Sequence, residues 1–183
     1  MSSTMTGFCQ LSDKEIRDLM SGRVKDDTSY VYSLPFTAGK SYLLIQGSNS
    51  SFSHKSELAF DFKMKKGSSI CAARGGLVID TRSDSKEGGL KQKNYADGNY
   101  IFIKHADGSV AQYWHFEYDG VKVNVGDTVK EKQVIGLSGN TGYSAFPHLH
   151  FQVSDSQDKN ILVRFRTKKG AKYIRAGSYY RAT

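Results

Sequence analysis

Five histidines, His54, His105, His115, His148 and His150, are the residues of this sequence best suited to acid–base or metal chemistry near neutral pH. The stretch Pro147-His148-Leu149-His150-Phe151-Gln152-Val153 is the most informative. Alternate side chains of a strand share a face, so His148 and His150 point one way while Leu149, Phe151 and Val153 point the other. Two imidazoles on a polar face, backed by an apolar one, are placed to share a metal and a water. Two ordinary surface histidines would have the same spacing. In Leu58-Ala59-Phe60-Asp61-Phe62-Lys63-Met64 the apolar positions 58, 60, 62 and 64 face a core, and Asp61 emerges opposite. A carboxylate between two phenylalanines needs a partner or a metal if it is buried, and is merely solvated if it is not. His54 lies upstream, within reach of Asp61 if the segment turns back, and reads equally as an exposed loop histidine. Val110-Ala111-Gln112-Tyr113-Trp114-His115-Phe116 puts Tyr113 and His115 on one face and Trp114 and Phe116 on the other, and for His115 a satisfied core histidine, the usual fate of a lone His, is the competing reading. His105, before Ala106-Asp107-Gly108, sits at a hairpin turn and reads as structural.

Two histidines and one aspartate match a catalytic zinc with three protein ligands and an open position for water. A structural zinc would be closed by a fourth ligand, commonly Cys. Cys71 lies in the apolar run Ile70-Cys71-Ala72-Ala73, where a small buried thiol is the ordinary reading. Further imidazoles beside such a metal suit proton transfer.

These groups have to be held by strands. The chain has 183 residues, 38% hydrophobic and 24% charged, with no run of 18 apolar positions, which argues for one folded domain and against a membrane helix, a coiled coil or a disordered chain. The 18 Gly, 11 Tyr and 10 Phe, with only 2 Pro, lean toward a turn-rich β protein. One helix is predicted over 13–21, where Ser12 and Glu15 form a capping-box pattern and Ile16, Leu19 and Met20 share a face before Gly22. Strands are predicted over 30–34, 41–46, 58–64, 69–73, 76–82, 100–105, 110–118, 134–137, 148–153 and, more weakly, 162–166. The polar segment 83–98 reads as a long loop. No composition break divides the chain, so residues 1–28 are an N-terminal extension and 29–183 one β domain.

The net charge is +8, and Val163 to Thr183 carries Arg164, Arg166, Lys168, Lys169, Lys172, Arg175 and Arg181 with no acid. Such a balance draws a protein toward polyanions, although a solvated face is the commoner meaning of a charged tail. There is no zinc-finger spacing and no RNA-binding aromatic signature, so no specific nucleic acid is expected. Cys9 and Cys71 make no disulfide framework. The opening MSSTMTGFCQLSD lacks a charged segment followed by an apolar one, so no signal peptide is visible.

In this order along about residues 30–166, the motifs resemble the lysostaphin/LytM-type zinc endopeptidases, which cleave peptidoglycan peptides on the duplicated hybrid motif fold. Phe60-Asp61-Phe62 through Lys66-Gly67-Ser68-Ser69-Ile70 and Ala72-Ala73-Arg74-Gly75-Gly76 looks like the family's segment around its first metal-binding Asp. Gly98-Asn99-Tyr100 through Ala106-Asp107-Gly108 looks like its central hairpin, and Tyr113-Trp114-His115-Phe116 like its Tyr-x-His-Leu strand. Val125-Gly126-Asp127 and Ile135-Gly136-Leu137-Ser138-Gly139-Asn140-Thr141-Gly142 are similar to the turns that precede Pro147-His148-Leu149-His150-Phe151. By position, the resemblance implies that His54, Asp61 and His150 bind zinc and that His115 and His148 flank the metal-bound water as catalytic histidines. The family's common His-x-x-x-Asp spacing falls on Glu57. Phe52-Ser53-His54 looks instead like members with a longer insertion before Ala-x-Asp-Phe, which makes His54 the implied ligand. Ala145-Phe146 replaces the usual residues before Pro-His and reshapes one groove wall.

The resulting expectation is a mainly β protein, an antiparallel sheet or sandwich with an open groove and a short N-terminal helix. It would act as a zinc endopeptidase on cross-links or stem peptides of peptidoglycan, as a monomer in the cell envelope, periplasmic or secreted, with its leader absent from this sequence. An anionic wall or membrane surface is a possible partner for the basic tail. The alternative is a catalytically inactive relative that binds or regulates cell-wall hydrolases.

Overall fold

Period-two alternation of Phe, Ile, Val and Tyr with small or polar residues folds most of the chain into strands. The computed structural model describes residues 30–48 and 58–183, together with Ser12, Lys14, Arg17, Asp18 and Ser21. In chain order the strands are β1 (Val31–Tyr32), β2 (Ser41–Gln46), β3 (Ala59–Lys63), β4 (Ser69–Cys71), β5 (Gly76–Arg82), β6 (Gly88–Gly89), β7 (Tyr100–Lys104) and β8 (Val110–Trp114). They continue with β9 (Phe116–Val121), β10 (Thr128–Val129), β11 (Val134–Ser138), β12 (Gly142–Tyr143), β13 (His148–Ser154), β14 (Arg164–Thr167), β15 (Gly170–Lys172) and β16 (Ser178–Arg181). Eight of them form one antiparallel sheet in the order β10-β5-β7-β8-β13-β3-β2-β16. Smaller sheets are β4-β11-β9, β1-β14-β15 and the parallel pair β12-β6.

The large sheet buries one face. Phe60 and Phe62 of β3, Leu149, Phe151 and Val153 of β13, Ala111 and Tyr113 of β8, and Ile101 and Ile103 of β7 all point into the core. Phe151 packs edgewise or tilted against Tyr113 at 5.1 Å and Phe165 at 5.8 Å, and Phe60 meets Phe165 at 5.0 Å. Burying each such ring contributes about 1.5–3 kcal/mol, and each edge-to-face pair about 0.5–1.5 kcal/mol more. The hydroxyl of Tyr113 is also used, since it accepts the Ala73 N–H at 2.8 Å.

The expected strand 110–118 is broken. His115 has φ +71°, a left-handed conformation that a non-glycine residue rarely adopts, and it separates β8 from β9. Tyr113 and His115 therefore do not share a face. Tyr113 lies in the core, and His115 is turned to the opposite side, where Trp114 also lies. The expected loop 83–98 holds β6 and a 3-10 helix over Gln92–Asp97. Side-chain hydrogen bonds order it: Lys91 N–H donates to Asn94 Oδ1 at 3.2 Å, and Asn94 Nδ2 donates to Asp97 at 2.9 Å. At the N-terminus Lys14, Arg17 and Asp18 are helical, and the Ser21 N–H closes on the Arg17 carbonyl at 3.0 Å. Glu15, Ile16, Leu19, Met20 and Cys9 lie outside the described residues. Cys71 is buried and free, its thiol pushed up to about 11 by burial. No helix among the described residues is long and apolar enough to cross a membrane.

Candidate active site

The face of the large sheet opposite the core carries a row of polar side chains set by strand register. Gln46 of β2 lies opposite Asp61 of β3, Asp61 opposite His150 of β13, and His150 opposite Trp114 of β8. Asp61 is only 2% exposed, although it points away from the core. Its Oδ1 is 3.0 Å from His150 Nδ1 and 3.7 Å from His148 Nε2, and its Oδ2 accepts from Gln46 Nε2 at 3.0 Å. One buried carboxylate thus faces two imidazoles. The His115 ring completes the group, 4.6 Å from the His148 ring and 6.0 Å from the His150 ring.

Two of these rings are oriented by backbone carbonyls. His115 Nδ1 lies 2.7 Å from the Thr141 carbonyl oxygen, and His148 Nδ1 lies 2.8 Å from the Phe146 carbonyl oxygen. A carbonyl only accepts, so each Nδ1 carries a proton. Burial first, and then the neighbouring His148 and His150, push the His115 pKa down to about 3, which keeps that ring neutral. The αL backbone at His115 is held from behind by Asn99, which is fully buried. Asn99 Nδ2 donates to the Ser85, Phe116 and Glu117 carbonyls, its Oδ1 accepts the Ser85 N–H, and its own N–H donates to Thr141 Oγ1. Thr141 Oγ1 in turn donates to the Phe116 carbonyl at 2.7 Å. Next to it Gly142, at φ +81°, packs so closely on Gly98 that a Cβ would stand 2.7 Å from the Gly98 Cα.

The imidazoles open into a cleft of about 350 Å³. Its walls are largely apolar: Tyr95 stacks on Tyr143 with ring centroids 4.2 Å apart, and Leu90, Phe146 and Trp114 complete the lining. Phe146, in the segment before Pro147, is 40% exposed on this wall.

Of the residues singled out from sequence, Asp61, His115, His148 and His150 therefore converge on one cleft. His54 and its competitor Glu57 lie outside the described residues. Among the described residues no set of three or more His, Cys, Asp or Glu side chains stands at metal-ligating spacing. The donor chemistry nonetheless fits a zinc ion, since a buried carboxylate oxygen and an imidazole nitrogen 3.0 Å apart are both zinc ligand types. His105 is not part of the site. It is 3% exposed on the far side of β7 and β8, hydrogen-bonded through Nδ1 to the Gly75 carbonyl at 2.9 Å. Sequence reading missed Gln46, Trp114 and the aromatic pair Tyr95–Tyr143. Trp114 was placed on the face opposite His115, because the backbone break at His115 that brings the two to one side has no sequence signature.

The sequence model of Peptidase family M23 matches residues 55–161. The chain is 41% identical over 92 residues to the glycyl-glycine endopeptidase ALE-1 of Staphylococcus capitis, covering 50% of this chain and 23% of that protein. It is 36% identical over 93 residues to the peptidoglycan DD-endopeptidase ShyA of Vibrio cholerae, covering 51% of this chain and 19% of that protein. The match thus spans under a quarter of the length of these curated relatives. Among solved structures, a zinc containing peptidase from Vibrio cholerae is 25% identical and superposes with a TM-score of 0.51, over 70% of this chain and 39% of that one.

Proposed function

Because the chain belongs to peptidase family M23, we propose that it is a zinc-dependent endopeptidase that hydrolyses cross-link or stem peptides of bacterial peptidoglycan. The observation that carries this reading is the buried Asp61 carboxylate in contact with His150 and beside His148 and His115, at the floor of an open cleft. Asp61 and His150 would hold the metal together with His54. Zinc bound there supplies Lewis acidity, polarising a carbonyl and making water a nucleophile at neutral pH. His115 and His148 do the proton work. Each has Nδ1–H tied to a carbonyl, which leaves Nε2 as the nitrogen that would take a proton from water and return it to a leaving amine. The neutral state of the buried His115 ring is the one a base starts from. The fixed backbone partners spare the rings reorientation during the reaction. The apolar walls formed by Tyr95, Tyr143 and Phe146 would grip an extended peptide and exclude water. Residues 29–183 form the peptidase domain in this reading. The exposed cations Arg166, Lys168, Lys169, Lys172, Arg175 and Arg181 favour residence on an anionic wall in the cell envelope, an attraction that salt screens.

Zinc stoichiometry and digestion of purified peptidoglycan test this together. Wild-type protein should bind one equivalent and release fragments identifiable by mass spectrometry. Asp61→Asn and His150→Ala should lose both metal and hydrolysis, whereas His115→Ala should keep the metal and lose hydrolysis. His54→Ala should lose zinc and Glu57→Ala should not. Full zinc binding by Asp61→Asn would overturn the reading, and a zinc-loaded wild type without hydrolysis would favour the inactive relative.

A further inference from the structure

Beyond Asp61, the His150 ring has a second neighbour on the sheet. Gln152 follows it by two residues on β13 and shares its face, and Gln152 pairs across strands with Gln112 of β8. Gln152 Oε1 lies 3.3 Å from His150 Nε2, while Gln152 Nε2 donates to Gln112 Oε1 at 2.8 Å. The two contacts are coupled. With its amide nitrogen committed to Gln112, Gln152 presents only an oxygen to His150, and an oxygen can accept only from a protonated Nε2. Nδ1 stands 3.0 Å from Asp61 Oδ1, which also only accepts, so the two oxygens compete for the ring's protons unless a cation is shared by Nδ1 and Oδ1, and then Gln152 receives the Nε2–H.

We propose that Gln152, braced by Gln112, is a positioning residue that fixes the tautomer and tilt of His150 so that Nδ1 and the Asp61 carboxylate present lone pairs to the same cation. The assignment rests on the reading of His150 as a metal ligand. Metal-ligating histidines commonly donate their other N–H to a neighbouring acceptor, and losing that acceptor weakens the metal about 10–100-fold. A cross-strand glutamine pair with no such role would add slightly to sheet stability and would leave metal affinity unchanged.

Zinc affinity by chelator competition, urea midpoints, and solvent exchange of the His150 Nε2 proton followed by NMR in zinc-loaded protein test the proposal. Gln152→Leu should weaken zinc about 10–100-fold with a urea midpoint close to that of wild type, and its His150 Nε2 proton should exchange faster with water. Gln152→Glu, which keeps an acceptor of the same reach, should restore wild-type affinity and slow exchange. Gln112→Leu should give a smaller loss in the same direction. The proposal is overturned if Gln152→Leu binds zinc within threefold of wild type, or if its Nε2 proton exchanges no faster than in wild type. Asp61→Asn separates the two claims: loss of zinc there with none in Gln152→Leu sinks this inference alone, whereas retention in Asp61→Asn sinks the metal reading itself.

Discussion

Lowering the pH from 7 to 5 should remove about 2 kcal/mol of folding stability through His105 alone. This ring donates Nδ1–H to the Gly75 carbonyl, is packed edgewise on Tyr32 at 5.6 Å, and has no partner for Nε2 among the described residues. Burial, assisted by the Arg74 charge and opposed by the Gly75 hydrogen bond and Asp107, holds its pKa at about 4 against an ordinary 6.5. A depressed histidine pKa means that the folded state binds fewer protons than the unfolded one between these values. The stability is therefore fully present above about pH 6.5 and is lost as the pH falls toward 4. At pH 5 protonation favours the unfolded histidine by about 30-fold and the folded one by about a tenth, a difference of about 2 kcal/mol. The assay is urea unfolding of wild type and His105→Asn at several pH values. The Asn amide can replace Nδ1–H toward Gly75 and does not titrate. With a urea slope of about 1–3 kcal/mol per molar, the wild-type midpoint should fall about 1 M further than the variant's between pH 7 and 5. Parallel curves for the two proteins would refute the argument.

Asn99→Asp replaces a fully buried donor to three carbonyls by an acceptor and should destabilise by about 3 kcal/mol or more, read as a loss of urea midpoint at neutral pH. Gly142→Ala meets the Gly98 backbone at 2.7 Å and an αL conformation, so it should cost about 1–3 kcal/mol and reduce peptidoglycan hydrolysis by displacing the Thr141–His115 contact. Tyr113→Phe strands the buried Ala73 N–H and should cost about 1–3 kcal/mol in thermal or urea melts while leaving hydrolysis per folded molecule unchanged.

The sheet was legible wherever one face is buried. Positions 58, 60, 62 and 64 are all in the core, and Leu149, Phe151 and Val153 line it as their alternation with His148 and His150 requires. What escaped depends on backbone conformation or on distant partners. The turn at His115 needs positive φ without a glycine to announce it, and it brings His115 to the side of the sheet where Trp114 lies rather than the side of Tyr113. Gln46 reaches Asp61 only through the register of β2 on β3, and a sequence fixes that register jointly rather than strand by strand. The 3-10 helix over Gln92–Asp97 and the edge strand β16 are mostly exposed, so neither displays a hydrophobic period to read. The aromatic wall is hidden for the same reason, since Tyr95 and Tyr143 meet across a long sequence gap.

β13 is paired on both sides, with β8 and β3, and its odd and even residues serve opposite purposes. A slip of one position would send Leu149 and Phe151 into water and thrust His148 and His150 into oil. Misfolded and inert would then be a single condition: any molecule of this protein that aligns its imidazoles has, by that fact, already assembled its interior, and a titration of competent sites after refolding counts correctly zipped molecules.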